Sequence, residues 1–81
     1  MFEREIFAER LRQRRLEKGL GLREVSRYLG ITSSTMVEYE KHIAFPGPEK
    51  LTALASLLDC SIDYLLGLTS NPQRLPEDPK Q

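Results

Sequence analysis

One cysteine, one histidine and no tryptophan occur among these 81 residues, and the scarcity closes off whole classes of chemistry. A single cysteine cannot build a disulfide framework within the chain, and a lone histidine beside it leaves a structural zinc site short of ligands. Cys60, between Leu57-Leu58 and Ile62, reads as a small buried hydrophobe rather than a reactive thiol, because no neighbouring pattern lowers its pKa. No Ser-His-Asp set assembles around His42, and there is no phosphate-cradling glycine loop. Catalysis, a metal and a cofactor are therefore not expected.

Net charge is also absent, with 12 basic residues against 12 acidic ones, which argues against a purely electrostatic nucleic-acid binder. No apolar run is long enough to span a bilayer. Met1 to Arg10 alternates charges with Ile6 and Phe7 and lacks the apolar segment of a signal peptide, so the expected compartment is the cytoplasm. A chain this short is one domain burying only ~60% of its unfolded surface. So small a core leaves little room for a pocket of several hundred Å3, and no small-molecule ligand is expected.

What is present is an ordinary globular composition, 40% hydrophobic and 30% charged. Basic residues cluster early: Arg10, Arg12, Arg14, Arg15, Lys18, Arg23 and Arg27, against Glu17 and Glu24. Charge alone leaves two readings open, a nucleic-acid face or a solvated helix face laced with ion pairs.

The periodicity predicts five helices and no strand. The first runs from about Phe2 to Lys18, with Ile6, Phe7, Leu11 and the stem of Arg15 on one face, and ends at Gly19. The second spans Leu22 to Leu29, where Gly21 and Glu24 make a partial capping box. Gly30 allows the positive φ of a tight turn, and Thr32 caps a third helix from Ser33 to Lys41 that buries Met36 and Tyr39. Residues 42–48 form a loop, interrupted by Pro46, Gly47 and Pro48. A fourth helix opens at Pro48 or Glu49 and ends near Leu58, with Leu51, Leu54, Ala55 and Leu58 inside. Ser61 caps a short fifth helix, Ile62 to Leu66. The globular part is residues 1–68, and the polar, proline-rich stretch 69–81 reads as a flexible tail or linker.

Helices two and three, joined by so short a turn, must cross at a large angle, so the second can protrude. A protruding helix of about three turns fits the major groove, though spacing alone leaves a plain helical hairpin equally open. The residues go further. Leu11-Arg12, Arg15, Glu17-Lys18-Gly19-Leu20, Glu24-Val25, Leu29-Gly30-Ile31-Thr32, Ser34-Thr35-Met36, Glu40, Pro46, Leu51, Leu54-Ala55, Leu58 and Ser61-Ile62-Asp63 with Leu65-Leu66 resemble the Cro/CI-type (XRE) helix-turn-helix family of bacterial and phage regulators. The resemblance implies an all-α, five-helix, lambda-repressor-like domain whose helix-turn-helix occupies residues 22–41. It also implies that Arg15 pairs with Glu40; independently, an unpaired carboxylate beside the buried Tyr39 would be costly.

Carried over from the family, the base-edge candidates are Ser33, Ser34, Val37 and Glu38. A serine hydroxyl both donates and accepts, Glu38 suits a cytosine amino group, and Val37 suits a thymine methyl. The competing readings are a solvated, phosphate-repelled Glu38 and a packing or dimer contact at Val37. Phosphate candidates are Arg23, Thr32, Lys41 and His42, with the amides opening helices two and three; His42 equally suits a left-handed helix end. Gly21 and Leu22 stand where the family has a polar cap and a glutamine, Ile43-Ala44-Phe45 where its loop is commonly basic, and His42 where it has glycine. These departures weaken affinity rather than fold. Binding is therefore expected from a homodimer on a two-fold double-stranded DNA operator, acting as a repressor, with a dimer surface near Tyr64, Leu65 and Leu68. The other function class is a protein-interaction module such as an antitoxin or anti-repressor, anchored by Leu22, Val37 and Phe45.

Overall fold

The structure, a computed structural model, describes residues 4–74. Among them five helices and no strand occur: α1 (Arg4–Glu17), α2 (Leu22–Leu29), α3 (Ser33–Glu40), α4 (Pro48–Leu57) and α5 (Ile62–Leu65). The sequence places the same five helices within a residue or so at the ends that can be compared; the expected start at Phe2 lies outside the described residues. α3 stops at Glu40, with Lys41 as its cap, and α5 stops at Leu65, with Leu66 as its cap.

The local signals act as chemistry requires. The Gly21 amide donates to Glu24 Oε1 at 2.7 Å, and the Thr35 and Tyr64 amides donate to the Thr32 and Ser61 hydroxyls at 3.1 and 3.0 Å. Pro48 opens α4, where its missing N–H has no partner to lose. The apolar faces converge on one core. Phe7 and Leu11 of α1, Val25 and Leu29 of α2, Met36 and Tyr39 of α3, Leu54, Ala55 and Leu58 around α4, Cys60, and Leu65 of α5 are all buried. Burial pushes the Cys60 thiol above its ordinary pKa, with nearby Arg14 pulling the other way.

All five helices end in one device. Within two residues of each helix's end one residue takes a left-handed conformation: Gly19, Gly30, His42, Asp59 and Gly67, with φ between 49° and 82°. Its amide and the next one reach back into the last turn, as in Gly30 N to Arg27 O (3.2 Å) and Ile31 N to Ser26 O (3.0 Å). Gly30 turns the chain from α2 toward α3 in three residues. Gly67 answers a second demand, because a Cβ there would stand 3.0 Å from Ile6 Cγ2.

Three arginines of α1 bind the helix ends together. Arg10 Nη1 donates to Tyr64 O and Thr69 O at 2.6 and 2.7 Å, and its guanidinium lies 4.2 Å from the Tyr64 ring centre. Arg14 Nη2 donates to Leu58 O and Asp59 O, both at 2.9 Å, closing the end of α4. Arg15 reaches Leu20 O at 2.9 Å and Glu40 at 2.6 and 3.1 Å. The basic cluster is thus divided between internal and external roles.

Beyond Leu68, residues 69–74 form no helix but hold a path. Asn71 N donates to Thr69 Oγ1, Gln73 N to Asn71 Oδ1, and Ser61 N to Pro72 O at 2.9 Å. Between this stretch and α4 lies an open groove of about 450 Å3 lined by Thr52, Ala55 and Cys60, among others. Its size corrects the expectation that so short a chain has no room for one. None of its lining residues belongs to α2 or α3. Residues 75–81 of the expected tail lie outside the described residues.

Candidate nucleic-acid interface

α3 has two faces, and its sequence separates them cleanly. Met36 and Tyr39 point into the core at 0% and 6% exposure, locked against α2 and α1. Ser33, Ser34, Glu38 and Lys41 are exposed, and Val37 is half-buried beside them. Positions 34, 38 and 41 fall at spacings of four and three, so they form one stripe, with 33 and 37 in the neighbouring column. The structure therefore gathers the four base-edge candidates on a single outward side of one helix.

The back of that helix is fixed by the Arg15–Glu40 pair. Nε to Oε2 is 2.6 Å and Nη2 to Oε1 is 3.1 Å, a two-pronged contact between side chains only 10% and 8% exposed. The Leu20 carbonyl accepts from the remaining guanidinium nitrogen. Each of the three guanidinium nitrogens thus has an acceptor, and the pair ties α1 to the last turn of α3.

The phosphate candidates differ in what remains free on each. Arg23 and Lys41 are exposed, and their side chains make no hydrogen bond or ion pair among the described residues. Thr32 is committed, since its hydroxyl caps Thr35 N and lies 2.9 Å from the Thr35 hydroxyl. His42 is exposed and left-handed at φ 49°. The two helix N-termini are unequal as well. The Glu24 carboxylate already sits on the Gly21 amide at the start of α2, which leaves a negative charge where a phosphate would approach. At α3 the cap is a neutral hydroxyl, and the Ser33 and Ser34 amides have no partner among the described residues. The Arg27 side chain, one turn after Arg23 on α2, is also exposed and unpaired among the described residues, and Glu24 between them is turned to the Gly21 amide, so two like charges stand at i and i+4.

Three expectations are corrected by packing. Leu22 and Phe45 are not surface anchors: both pack against the core, and the Phe45 ring meets Phe7 edge-on, 4.8 Å between centres at 60°. Leu65 cannot belong to a dimer surface, because it is fully buried. Tyr64 lies half-buried under Arg10, and of that trio only Leu68 is well exposed, at 53%. Sequence periodicity could not show the internal duties of Arg10 and Arg14, since their targets are carbonyls more than 40 positions away.

Comparison with known proteins places this geometry in a family. A helix-turn-helix family model matches residues 11–65, which covers α2 and α3 and the helices that support them. The chain is 39% identical over 75 residues to an uncharacterized HTH-type transcriptional regulator, YobD, of Bacillus subtilis, covering 93% of this chain and 62% of that protein. It is 36% identical over 69 residues to the HTH-type transcriptional regulator AnsR of the same organism, covering 85% of this chain and 60% of that one. The chain thus spans about three-fifths of the length of these curated relatives. A crystal structure of a transcriptional regulator from Listeria innocua superposes with a TM-score of 0.73 at 31% identity, over 91% of this chain and 66% of that one. On this evidence the chain belongs to the XRE-type helix-turn-helix family of transcriptional regulators.

Proposed function

We propose that this chain binds double-stranded DNA by laying the outward stripe of α3 in the major groove, and thereby regulates transcription in the cytoplasm of a bacterium or a phage-infected cell. One observation carries the reading. Ser34, Glu38 and the cap residue Lys41 form an exposed stripe, with Ser33 exposed beside it, along a helix whose opposite face and last turn are locked by Met36, Tyr39 and the Arg15–Glu40 pair. A rigid helix presenting small donors, an acceptor and a cation offers base edges the complementary groups they display there. Ser33 and Ser34 at its N-terminus combine hydroxyls with unpartnered amides, Glu38 suits a cytosine amino group, and Val37 suits a thymine methyl. Arg23, Lys41 and His42 supply the groups that hold phosphate, while the Thr32 hydroxyl mainly holds the helix start. No catalytic step is part of this function.

With so few free cations, one copy neutralises few phosphates, and affinity then requires two. The proposed state is a homodimer on a two-fold site with half-sites about one helical turn apart, and the proposed mode is repression. The protein-interaction alternative loses support because two of its three anchors, Leu22 and Phe45, pack on the core.

The test is selection from a random duplex library, followed by anisotropy titrations of the recovered site at several salt concentrations. Recovery of a two-fold motif with a salt slope of several units is the expected result. Absence of enrichment at low salt would overturn the DNA reading, and a monomer by sedimentation on the selected duplex would overturn the dimer.

A further inference from the structure

We infer that Ile43 is a specificity-determining residue, which extends the recognition surface past the end of α3 and packs on a thymine C5-methyl group at the edge of the major groove. The inference rests on the DNA-binding reading above and names a chemistry for the uncharged loop that follows α3.

Ile43 is 65% exposed, more than any other large hydrophobic residue among those described. Loose chain does not account for that exposure. The Ile43 amide donates to Glu38 O at 3.0 Å and the Ala44 amide to the same oxygen at 3.2 Å, while His42 makes the reversal in a conformation that L side chains rarely adopt. Both bonds end on Glu38, a member of the exposed stripe, so the backbone of Ile43 is tied directly to the recognition surface. A helix ending of this kind commonly brings the residue at this position against the side chain three or four places before the cap, which here means Glu38 or Val37.

The loop also had inward positions to offer. Ala44 and Phe45 pack against the core and Pro46 is buried, so three successive apolar residues turn in and only Ile43 turns out. From Ile43 to Pro48 no side chain carries a cation or a hydrogen-bond donor, so this stretch cannot grip phosphate through its side chains. What it presents next to Glu38 is a branched apolar group, and the apolar feature of the major groove is the thymine methyl. Burying one methyl-sized group corresponds to about a fourfold change in affinity.

The full chain is titrated against its selected duplex and against versions in which each thymine in turn is replaced by deoxyuridine, which lacks only the C5-methyl. For the unmodified protein, at least one replacement is expected to weaken binding about fourfold. For Ile43→Ala, binding to the thymine duplex falls by a similar factor and that replacement then has no further effect, a non-additivity that marks direct contact. Ile43→Val retains the sensitivity. Because the side chain is largely exposed, the Ile43→Ala melting temperature stays unchanged, which separates readout from folding.

Equal loss on thymine and deoxyuridine duplexes would replace the methyl contact with a sugar contact and overturn the inference. So would a selected site without a preferred thymine, wild-type binding by Ile43→Ala, or a variant that alters only self-association. If duplexes bind with a steep salt slope but ignore deoxyuridine, this inference fails alone. If no duplex binds at all, the DNA reading fails and takes this inference with it.

Discussion

Arg10, Arg14 and Arg15 of α1 and Arg23 and Arg27 of α2 are the same residue type, close in sequence, with opposite fates. The first three spend their donors on Tyr64, Thr69, Leu58, Asp59 and Leu20 carbonyls and on the Glu40 carboxylate. The side chains of the last two make no hydrogen bond or ion pair among the described residues and stand exposed. A guanidinium already holding carbonyls at 2.6–2.9 Å is a structural strut. It is poorly placed to release counterions from DNA. Counting basic residues therefore overstates the DNA-facing charge of this domain, and their hydrogen-bond commitments measure it better. The α1 arginines hold the frame from which α3 presents its exposed stripe.

The comparison breaks most visibly at Arg15. Its removal leaves the Glu40 carboxylate buried without a partner, an arrangement that costs about 3 kcal/mol or more. At ~4–8 °C per kcal/mol for a domain this small, Arg15→Ala should lower the melting temperature by more than about 10 °C, read by circular dichroism. The double variant Arg15→Met/Glu40→Leu should recover much of the loss, because neither charge is then stranded. An unchanged melt for Arg15→Ala would mean that the pair contributes no stability. Arg14→Ala comes next. It strips the donor from Leu58 O and Asp59 O and should cost about 1.5–3 kcal/mol, the range for bonds to a charged group. DNA affinity at temperatures where the variant stays folded should not change; a fall in salt slope would place Arg14 in the wrong group.

Much of this frame is legible in the sequence because its signals are local. Gly21 with Glu24, Thr32, Ser61, Gly19 and Gly30 mark helix ends through bonds spanning three to five residues, and the apolar spacing of Phe7, Leu11, Val25, Leu29, Met36 and Tyr39 marks the core. The Arg15–Glu40 geometry matches what the family resemblance implied rather than anything spacing shows. What is not legible depends on distance or on short elements. α5 has four residues, too few for a periodicity that would separate buried Leu65 from exposed Leu68. Phe45 turns inward because Phe7 offers an edge-on partner 38 positions earlier, a contact with no local signature. The left-handed Asp59 was also hidden, since aspartate in a helix-to-helix turn has many other uses.

The outer group is sharpened by salt. Arg23→Ala should reduce the slope of log affinity against log salt by about 0.9, the signature of one lost phosphate contact, while leaving the melting temperature within about 1 °C. Its exposure and the lack of any side-chain bond among the described residues require the second half of that statement. A large drop in stability would reassign Arg23 to the frame. An unchanged slope would place it off the DNA.

The smallest effect separates two residues that do the same local work. His42 and Asp59 are left-handed without being glycine, at φ 49° and 55°, ending α3 and α4 with the same pair of backward hydrogen bonds. A Cβ in that region is strained, so His42→Gly and Asp59→Gly should each stabilise the fold, by about 0.5–1 kcal/mol after glycine's extra entropy in the unfolded chain is subtracted. Both gains would be read as higher melting temperatures of a few degrees. The two positions then part. Asp59 lies at the far end of α4, beside Arg14, and its replacement should leave DNA affinity alone. His42 follows the recognition helix directly, exposed and able to donate to phosphate, so His42→Gly should be the more stable and the weaker binder. Equal affinity for both glycine variants would reduce His42 to a helix-ending residue and leave Lys41 as the sole phosphate contact proposed at that end of α3.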